Sequence, residues 1–356
     1  MAAKLRLGVV FGGRSAEHEV SVVSAMNVLD AVDRDRFETV PIGVTRDGRW
    51  LTPAETQTQL DRNDPPYQKR LDAGVPPLRE RGEVLRALAG LDAVFPLVHG
   101  VNGEDGTLQG LLEMFGLPYA GCGVAASALG MDKSLQKALF QRAGLKVTRH
   151  LTVFEHEWHA GEGEIARGIE HSLGYPAFVK PANGGSSVGV SKVRSREDLD
   201  GAMRTAFALD AKILVEEAMR GREVECGVIG NEAPEASPVG EVVPQGGFYD
   251  YAAKYLEDTA KLTAPADLPE PAAEAVRESA LAAFRAIDGE GYARVDFFLP
   301  PDGPPVVNEI NTIPGFTPIS MFPRLWALAG VSYRELISRL VDLGLDRFRK
   351  RQARSG

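Results

Sequence analysis

YARVDFFLPPDGPPVVNEIN, residues 292–311, reads as two strands joined by a proline-rich turn. Residues 292–299 and 306–311 are rich in β-branched and aromatic side chains, and Asp302-Gly303 marks the connection. Side chains alternate along a strand, so Arg294 and Asp296 share a face, as do Glu309 and Asn311. Val295, Phe297, Val306 and Ile310 would then supply the buried side. If the strands pair as a hairpin, two carboxylates and a carboxamide converge. Like charges opposite one another destabilise a sheet, so the arrangement needs compensation. A hard divalent cation provides it: magnesium takes oxygens from one or two carboxylates and completes its shell with phosphate and water. The alternative is a surface hairpin with solvated charges, which the apolar alternation disfavours.

Around this hairpin the texture is α+β. Strand-like runs occupy 223–229 and 241–244, and an alanine-rich helix fits 272–287. The first part of the chain reads differently, as alternating strands and helices: strands at 5–11, 37–44 and 93–98, and helices after residue 20 and near 107–115. That alternation indicates a parallel sheet covered on both faces. Between them, residues 52–82 are polar and proline-rich, and read as an insertion without sustained period. After a boundary at 121–123, a helix begins with Asp132 as N-cap and Leu135, Ala138 and Leu139 on one face. Strands follow at 151–154, 177–180 and 212–219, with a helix at 195–208.

Two lysines are locally misplaced. Lys133 falls in the first turn of its helix, where the macrodipole disfavours a cation. Lys180 lies in an apolar strand, where a charge is costly unless paired. A polyphosphate shared by both would remove each cost. PANGGSSVG (181–189) follows Lys180 directly, and a glycine-serine turn lets amides and hydroxyls cradle phosphate oxygens. A structural hairpin with an exposed lysine is the alternative. GGRSAEHE (12–19) and HGVNGEDG (99–106) join strands to helices at the edge where α/β sheets bind ligands; ordinary capping is the other reading of each.

The 356 residues suffice for two or three domains at about 150 residues each. Their 44% hydrophobic and 25% charged content is that of a globular protein. A net charge of −9 excludes nucleic acid as a bulk electrostatic partner, though not a small phosphorylated ligand. The basic stretch 347–354 reads as a solvated helix end. Cys122 and Cys226 give neither a metal spacing nor a disulfide framework, which suits a reducing compartment. The N-terminal apolar stretch is too short for a signal-peptide core, and no run approaches a bilayer span, so a cytoplasmic protein without membrane partners is expected. GCGVAA (121–126) imitates a dinucleotide fingerprint but lacks a strong preceding strand and a suitably spaced acid. HEWH (156–159) is one residue short of a zinc-protease motif and reads as an exposed polar turn.

The chain as a whole resembles the ATP-grasp superfamily, and within it the D-alanine–D-alanine ligases. The resemblance covers about residues 5–343 and rests on GGRSAEHEVSVVS (12–24), HGVNGEDG (99–106), MDKSLQK (131–137), VKPANGGSSVGVSKV (179–193), VEEAMRGREVE (215–225), FYDYAAKYLED (248–258), ARVDFFL (293–299) and VNEINTIPGFTPISMFP (307–323). It implies mixed α/β and α+β architecture in three domains: an N-terminal α/β domain (1–121), a central ATP-grasp subdomain (122–215) and a C-terminal one (216–356), with ATP between the last two.

By the same resemblance, Lys133, Lys180 and Lys254 contact the nucleotide phosphates, and Gly185, Ser186, Ser187 and Val188 close over them. Glu216, with the backbone near Glu217 and Met219, reads adenine, and Glu223 holds the ribose. Asp296, Glu309 and Asn311 hold two magnesium ions, which manganese could replace. Glu17 anchors the ammonium of a first D-alanine, Arg294 and the Gly315 backbone stabilise the oxyanion, and Ser320 and Met321 receive the second substrate's carboxylate. His99 and Tyr249 count with the substrate residues, and Tyr255 links to Glu17 and Ser186 from a mobile loop. The implied chemistry is phosphoryl transfer to D-alanine, then acyl transfer to a second D-alanine, in a homodimer. Glu217 departs from the lysine many members carry there. Rival readings are a D-alanyl-D-lactate or D-alanyl-D-serine ligase, with Tyr255 as the discriminating position; a nucleotide-binding regulatory protein without catalysis; and a dehydrogenase using 121–126.

Overall fold

A computed structural model describes residues 3–62, 64, 65, 69, 71, 81–244 and 260–355. β1 (Leu5–Gly12) is the central strand of a three-stranded parallel sheet, ordered β2-β1-β3 with β2 (Phe37–Val44) and β3 (Ala93–Pro96). Leu7, Val9, Val10 and Phe11 are all buried, so both faces of β1 are covered, which is why it reads as an unbroken apolar run. Helices α1 (His18–Ala31), α2 (Pro53–Leu60), α3 (Arg81–Ala89) and α4 (Thr107–Met114) belong to this part of the chain.

α2 corrects the aperiodic reading of 52–82. Thr52 Oγ accepts the Glu55 N–H at 3.3 Å, the Glu55 carboxylate accepts the Thr52 N–H at 2.8 Å, and Pro53 opens the helix. Of its own residues only Thr56 is buried, so the helix is defined by its cap and shows no apolar stripe.

The chain continues through α5 (Val124–Met131), α6 (Lys133–Arg142) and β4 (Lys146–Val147). A four-stranded antiparallel sheet follows, ordered β5-β8-β6-β7 from β5 (His150–Phe154), β6 (Ala177–Pro181), β7 (Ser191–Val193) and β8 (Lys212–Glu217). α7 (Glu155–Ser172) and α8 (Arg196–Phe207) close its core with Trp158, Ile169 and Met203. Residues 156–159 are therefore helical, with Trp158 buried, where a polar turn was expected.

The third sheet has six strands, ordered β11-β10-β9-β12-β13-β4: β9 (Arg222–Gly230), β10 (Glu235–Pro244), β11 (Ala260–Thr263), β12 (Gly291–Leu299) and β13 (Val306–Asn311), joined by the earlier β4. α9 (Glu270–Ala286) packs on it through Val276, Ala280 and Phe284. α10 (Met321–Leu328) and α11 (Tyr333–Ser355) end the chain, tying this sheet to the first through Phe316, Phe322, Trp326 and Leu336.

Two surface readings change. Asp132 caps α6 as expected, accepting the Ser134 and Leu135 N–H groups at 3.0 and 3.1 Å, but the buried face is Lys133, Gln136, Lys137 and Phe140, while Leu135 is exposed. The polar side turns inward because it is bonded there: Gln136 accepts the Ile310 N–H at 2.9 Å, and Lys137 donates to the Asn308 carbonyl at 2.9 Å. At the basic end of α11, Arg347 is buried, donating to the Tyr119 carbonyl at 3.1 Å and to the Gly121 carbonyl, while residues 349–354 are exposed. Gly121 is packed against the Tyr292 ring, its carbonyl accepts from Arg347, and the Cys122 thiol donates to the Tyr292 carbonyl. No helix among the described residues is long and apolar enough to cross a membrane.

Candidate active site

β12 and β13 pair antiparallel with Arg294 opposite Asn311 and Asp296 opposite Glu309. On the other side of β12, Asp296 is opposite Glu225 of β9. Three carboxylates thus cross one sheet face in a row, while Val224, Cys226, Val295, Phe297 and Ile310 fill the core behind. The register shifts at Asp296/Phe297, so one extra residue, Asn308, bends β13 beside the row. Arg294 lies 2.6 Å from Asp296 and 3.1 Å from Glu225, and Lys133 lies 3.3 Å from Glu309. The row is therefore compensated by cations from both flanks.

Among the described residues no group of three His, Cys, Asp or Glu side chains is arranged to hold a metal ion. The oxygen set on this face is instead two carboxylates and a carboxamide: Asp296, Glu309 and Asn311. Asn311 Nδ2 donates to Asp296 at 3.1 Å, and a half-turn of the carboxamide would present its oxygen there instead. All-oxygen donors of this kind fit magnesium, with its remaining positions left to phosphate and water.

The row forms one wall of a 430 Å³ cleft between the four- and six-stranded sheets. Lys133, Lys180, Gly185, Ser186, Ser187, Val188, Glu216, Glu217, Met219, Glu223, Asp296 and Glu309 all line it, so the residues read from separate stretches of sequence meet at one place. Asp132, as N-cap, sets Lys133 at the start of α6, where its ammonium donates to the Gly184 carbonyl at 2.6 Å. The turn over the cleft has Ser186 and Ser187 in the left-handed region (φ 49° and 60°), closed by Val188 N–H to Gly185 O at 3.1 Å. A Cβ at Gly185 would lie 2.5 Å from Glu17 Oε2, so any side chain there would displace the Glu17 carboxylate.

Lys180 is paired with Glu216 at 2.9 Å, which supplies the partner its apolar strand requires. Glu216 also meets Lys137 at 3.3 Å and accepts from Thr148 Oγ1 at 3.1 Å. Burial alone would raise the Glu216 carboxyl, but the two lysines outweigh it and hold it down at about 2. Burial lowers Lys137 to about 8 against the pull of Glu216. Both remain ionised at neutral pH. Lys137 escaped the sequence reading, although it stands four residues after Lys133 and so on the same helical face. Glu225, the third carboxylate of the row, was missed as well, because only the pairing of β9 with β12 brings it there. Glu217 is bound by Arg149, whose Nε donates at 2.7 Å.

The loops after β1 and β3 reach the same region. Glu17 precedes α1 and accepts the Ser186 hydroxyl, joining the N-terminal loop to the cleft turn. His99 is buried with Nδ1 2.9 Å from the Ile313 carbonyl, and burial lowers its pKa despite the charge of Glu17. Gly315 lies in the segment between β13 and α10. Ser320 stands at the start of α10, with its Oγ 2.8 Å from Thr317 Oγ1, and Met321 is buried against Val242 and Leu325. Among the described residues no side chain caps that helix N-terminus. Tyr249, Lys254 and Tyr255 lie outside the described residues. Cys122 and Cys226 are buried, their thiols pushed up to about 12 by desolvation, and neither is a nucleophile for this site.

Comparison with known proteins gives consistent matches along the chain. Residues 6–122 match the family model of the D-ala D-ala ligase N-terminus, and residues 139–342 that of the D-ala D-ala ligase C-terminus. A D-alanine–D-alanine ligase of Geobacillus thermodenitrificans is 47% identical over 355 residues, covering 98% of each chain. Among solved structures, the D-alanine–D-alanine ligase of Coxiella burnetii aligns with a TM-score of 0.81 and 33% identity over 99% of this chain and 97% of its own. The VanG D-Ala:D-Ser ligase of Enterococcus faecalis aligns with a TM-score of 0.80 and 35% identity over 96% of this chain and 100% of its own.

Proposed function

Because this chain belongs to the D-alanine–D-alanine ligase family, we propose that it joins two D-alanine molecules at the expense of ATP, for peptidoglycan synthesis. The observation that carries this reading is the single cleft in which Lys133, Lys180 and the 184–188 turn face the carboxylates Asp296 and Glu309. Two cations and a glycine-serine turn suit a polyphosphate, and oxygens opposite them suit its counterion.

In this reading Lys133 and Lys180, with Lys254, hold the nucleotide phosphates, and the amides and hydroxyls of residues 185–188 close over them. Glu216 and the 217–219 backbone meet the adenine, and Glu223 meets the ribose. Asp296, Glu309 and Asn311 would hold magnesium, in two ions or with manganese in its place, which neutralises charge on the transferring phosphoryl group. Glu17 takes the ammonium of the first D-alanine, whose carboxylate attacks the γ-phosphorus as the bond to ADP breaks, giving an acyl phosphate and ADP. The second D-alanine's amine attacks the acyl carbon, the C–O bond to phosphate breaks, and Arg294 with the Gly315 N–H stabilises the oxyanion. The uncapped start of α10 at Ser320 and Met321 suits the second carboxylate, since free helical N–H groups attract anions. His99 and Tyr249 complete the substrate pocket, and Tyr255 closes on the Glu17–Ser186 pair. Charge stabilisation and alignment thus do the catalytic work, with no side-chain nucleophile.

The same reading places the enzyme in the cytoplasm as a homodimer, divided at about residues 121 and 215. Its test is phosphate release with ATP and magnesium when D-alanine, L-alanine, D-serine and D-lactate are offered singly and in pairs. D-alanine alone should suffice. Release that needs D-serine or D-lactate as partner would replace the dipeptide reading with one of those products.

A further inference from the structure

The segment that carries Gly315 is held by the 99–106 loop, which belongs to the N-terminal part of the chain. Glu104 Oε1 accepts the Ile313 N–H at 3.0 Å, and Oε2 accepts the Gly100 N–H at 2.8 Å. His99 Nδ1 is 2.9 Å from the Ile313 carbonyl oxygen. A carbonyl only accepts, so Nδ1 carries the proton and Nε2 is left as an acceptor. Ser24 Oγ, 3.3 Å away, donates to it and fixes the ring. Both backbone groups of Ile313 are therefore taken by side chains that lie 209 and 214 residues earlier.

β13 ends at Asn311, so residues 312–315 have no ladder of their own to fix them. Pro314 follows Ile313, and its ring locks φ and removes an N–H. The orientation imposed at Ile313 thus passes to the Gly315 amide through few free torsions. Glu104 is a costly residue to keep in this place: burial and the charge of Glu17 push its carboxyl upward, and the Ile313 and Gly100 N–H groups pull it back toward the carboxylate that accepts from both.

We propose that Glu104 is a positioning residue for acyl transfer: by clamping Ile313, with His99 as the second jaw, it sets the Gly315 amide and makes the oxyanion site depend on the N-terminal sheet. This rests on the ligase reading above, in which Gly315 donates to the oxyanion. Glutamine at 104 keeps one acceptor oxygen but turns an amide nitrogen onto a backbone N–H, so it cannot hold both donors.

Glu104→Gln in the full chain should lower kcat for D-alanine-dependent phosphate release about 10- to 100-fold, less than outright loss of an oxyanion donor. KM for ATP should stay within about twofold, because Lys180 and Glu216 are untouched; a merely structural defect would move both. Hydrogen exchange followed by mass spectrometry should show peptides covering 310–316 exchanging faster in the variant, and those covering 177–217 unchanged. Unaltered exchange at 310–316, or normal kcat despite faster exchange, would overturn the clamp. Ser24→Ala, which frees the His99 ring, should give the same split at smaller size, and an unchanged kcat there would count equally against it. A wild type that releases no phosphate with D-alanine would refute the ligase reading, while the exchange comparison would still decide the clamp.

Discussion

Removing Lys137 should cost more than its distance from any phosphate suggests. Its ammonium and the Glu216 carboxylate, 3.3 Å apart, have side chains 0% and 4% exposed. Breaking a buried pair by deleting one partner typically costs about 3–5 kcal/mol. In Lys137→Met the Glu216 carboxylate keeps Lys180 at 2.9 Å and Thr148 at 3.1 Å, so the lower end, about 3 kcal/mol, is expected. Glu216→Gln instead leaves two buried lysines face to face. That penalty has a ceiling, because an amine can shed its proton. With an unfolded value of 10.5, neutralising Lys137 at pH 7 costs about 1.36 kcal/mol per unit, or roughly 5 kcal/mol. The double variant should fall short of the summed single losses by about 2–3 kcal/mol.

The pH dependence follows from the sign of the shift. Lys137 titrates lower in the fold, at about 8, than in the unfolded chain, at 10.5. Between those values the unfolded chain binds more protons, so this group makes stability rise with pH. Without Glu216 the folded value drops further and the rise starts earlier. The penalty of Glu216→Gln should therefore shrink by about 1 kcal/mol between pH 7 and pH 8, because wild type itself begins to gain there. The contribution of Glu216 itself is complete above its unfolded value of 4.5 and fades as pH falls toward about 2. Urea unfolding followed by circular dichroism measures all of these. A Lys137→Met midpoint equal to wild type at unchanged slope would refute the reasoning, since Lys180 and Thr148 would then satisfy Glu216 alone.

Other perturbations probe the cleft wall by wall. Asp296→Asn and Glu309→Gln should each remove most turnover with an intact circular dichroism spectrum; near-normal phosphate release at saturating magnesium would dismiss both as metal ligands. Lys180→Ala should weaken ATP more than adenosine in calorimetric titration, whereas equal losses would mean only that β6 is disrupted. Asp132→Ala removes a cap and the partner of Lys212, and should lower stability by about 1–2 kcal/mol, with Asp132→Asn losing less. Equal melting curves for wild type and Asp132→Ala would dismiss the cap.

Much of the site is legible in the sequence because its geometry is local. Strand alternation alone puts Arg294 with Asp296 and Glu309 with Asn311 on matching faces, and the register bears this out. Lys180 announces itself as a charge in an apolar strand, and Asp132 as a cap. What stayed hidden depends on distant partners. The buried side of α6 cannot be told from its apolar residues, because Gln136 and Lys137 turn inward to meet Ile310, Asn308 and Glu216. Glu225 joins the carboxylate row only through the pairing of β9 with β12. α2 was recoverable, since Thr52, Pro53 and Glu55 spell a capping box that hydrophobic periodicity does not register.

The central claim, that a D-alanine carboxylate is phosphorylated and the phosphate then displaced from the acyl carbon by an amine, has a direct isotopic test. D-Alanine carrying oxygen-18 in its carboxylate is supplied with ATP and magnesium, and the released phosphate is weighed by mass spectrometry. Attack of that carboxylate on the γ-phosphorus, followed by cleavage of the acyl C–O bond, leaves one carboxylate oxygen on each phosphate, so one label per phosphate is predicted, with ADP unlabelled. Unlabelled phosphate, or label recovered in AMP, would contradict the acyl-phosphate route and the roles given to Lys133, Lys180 and Arg294.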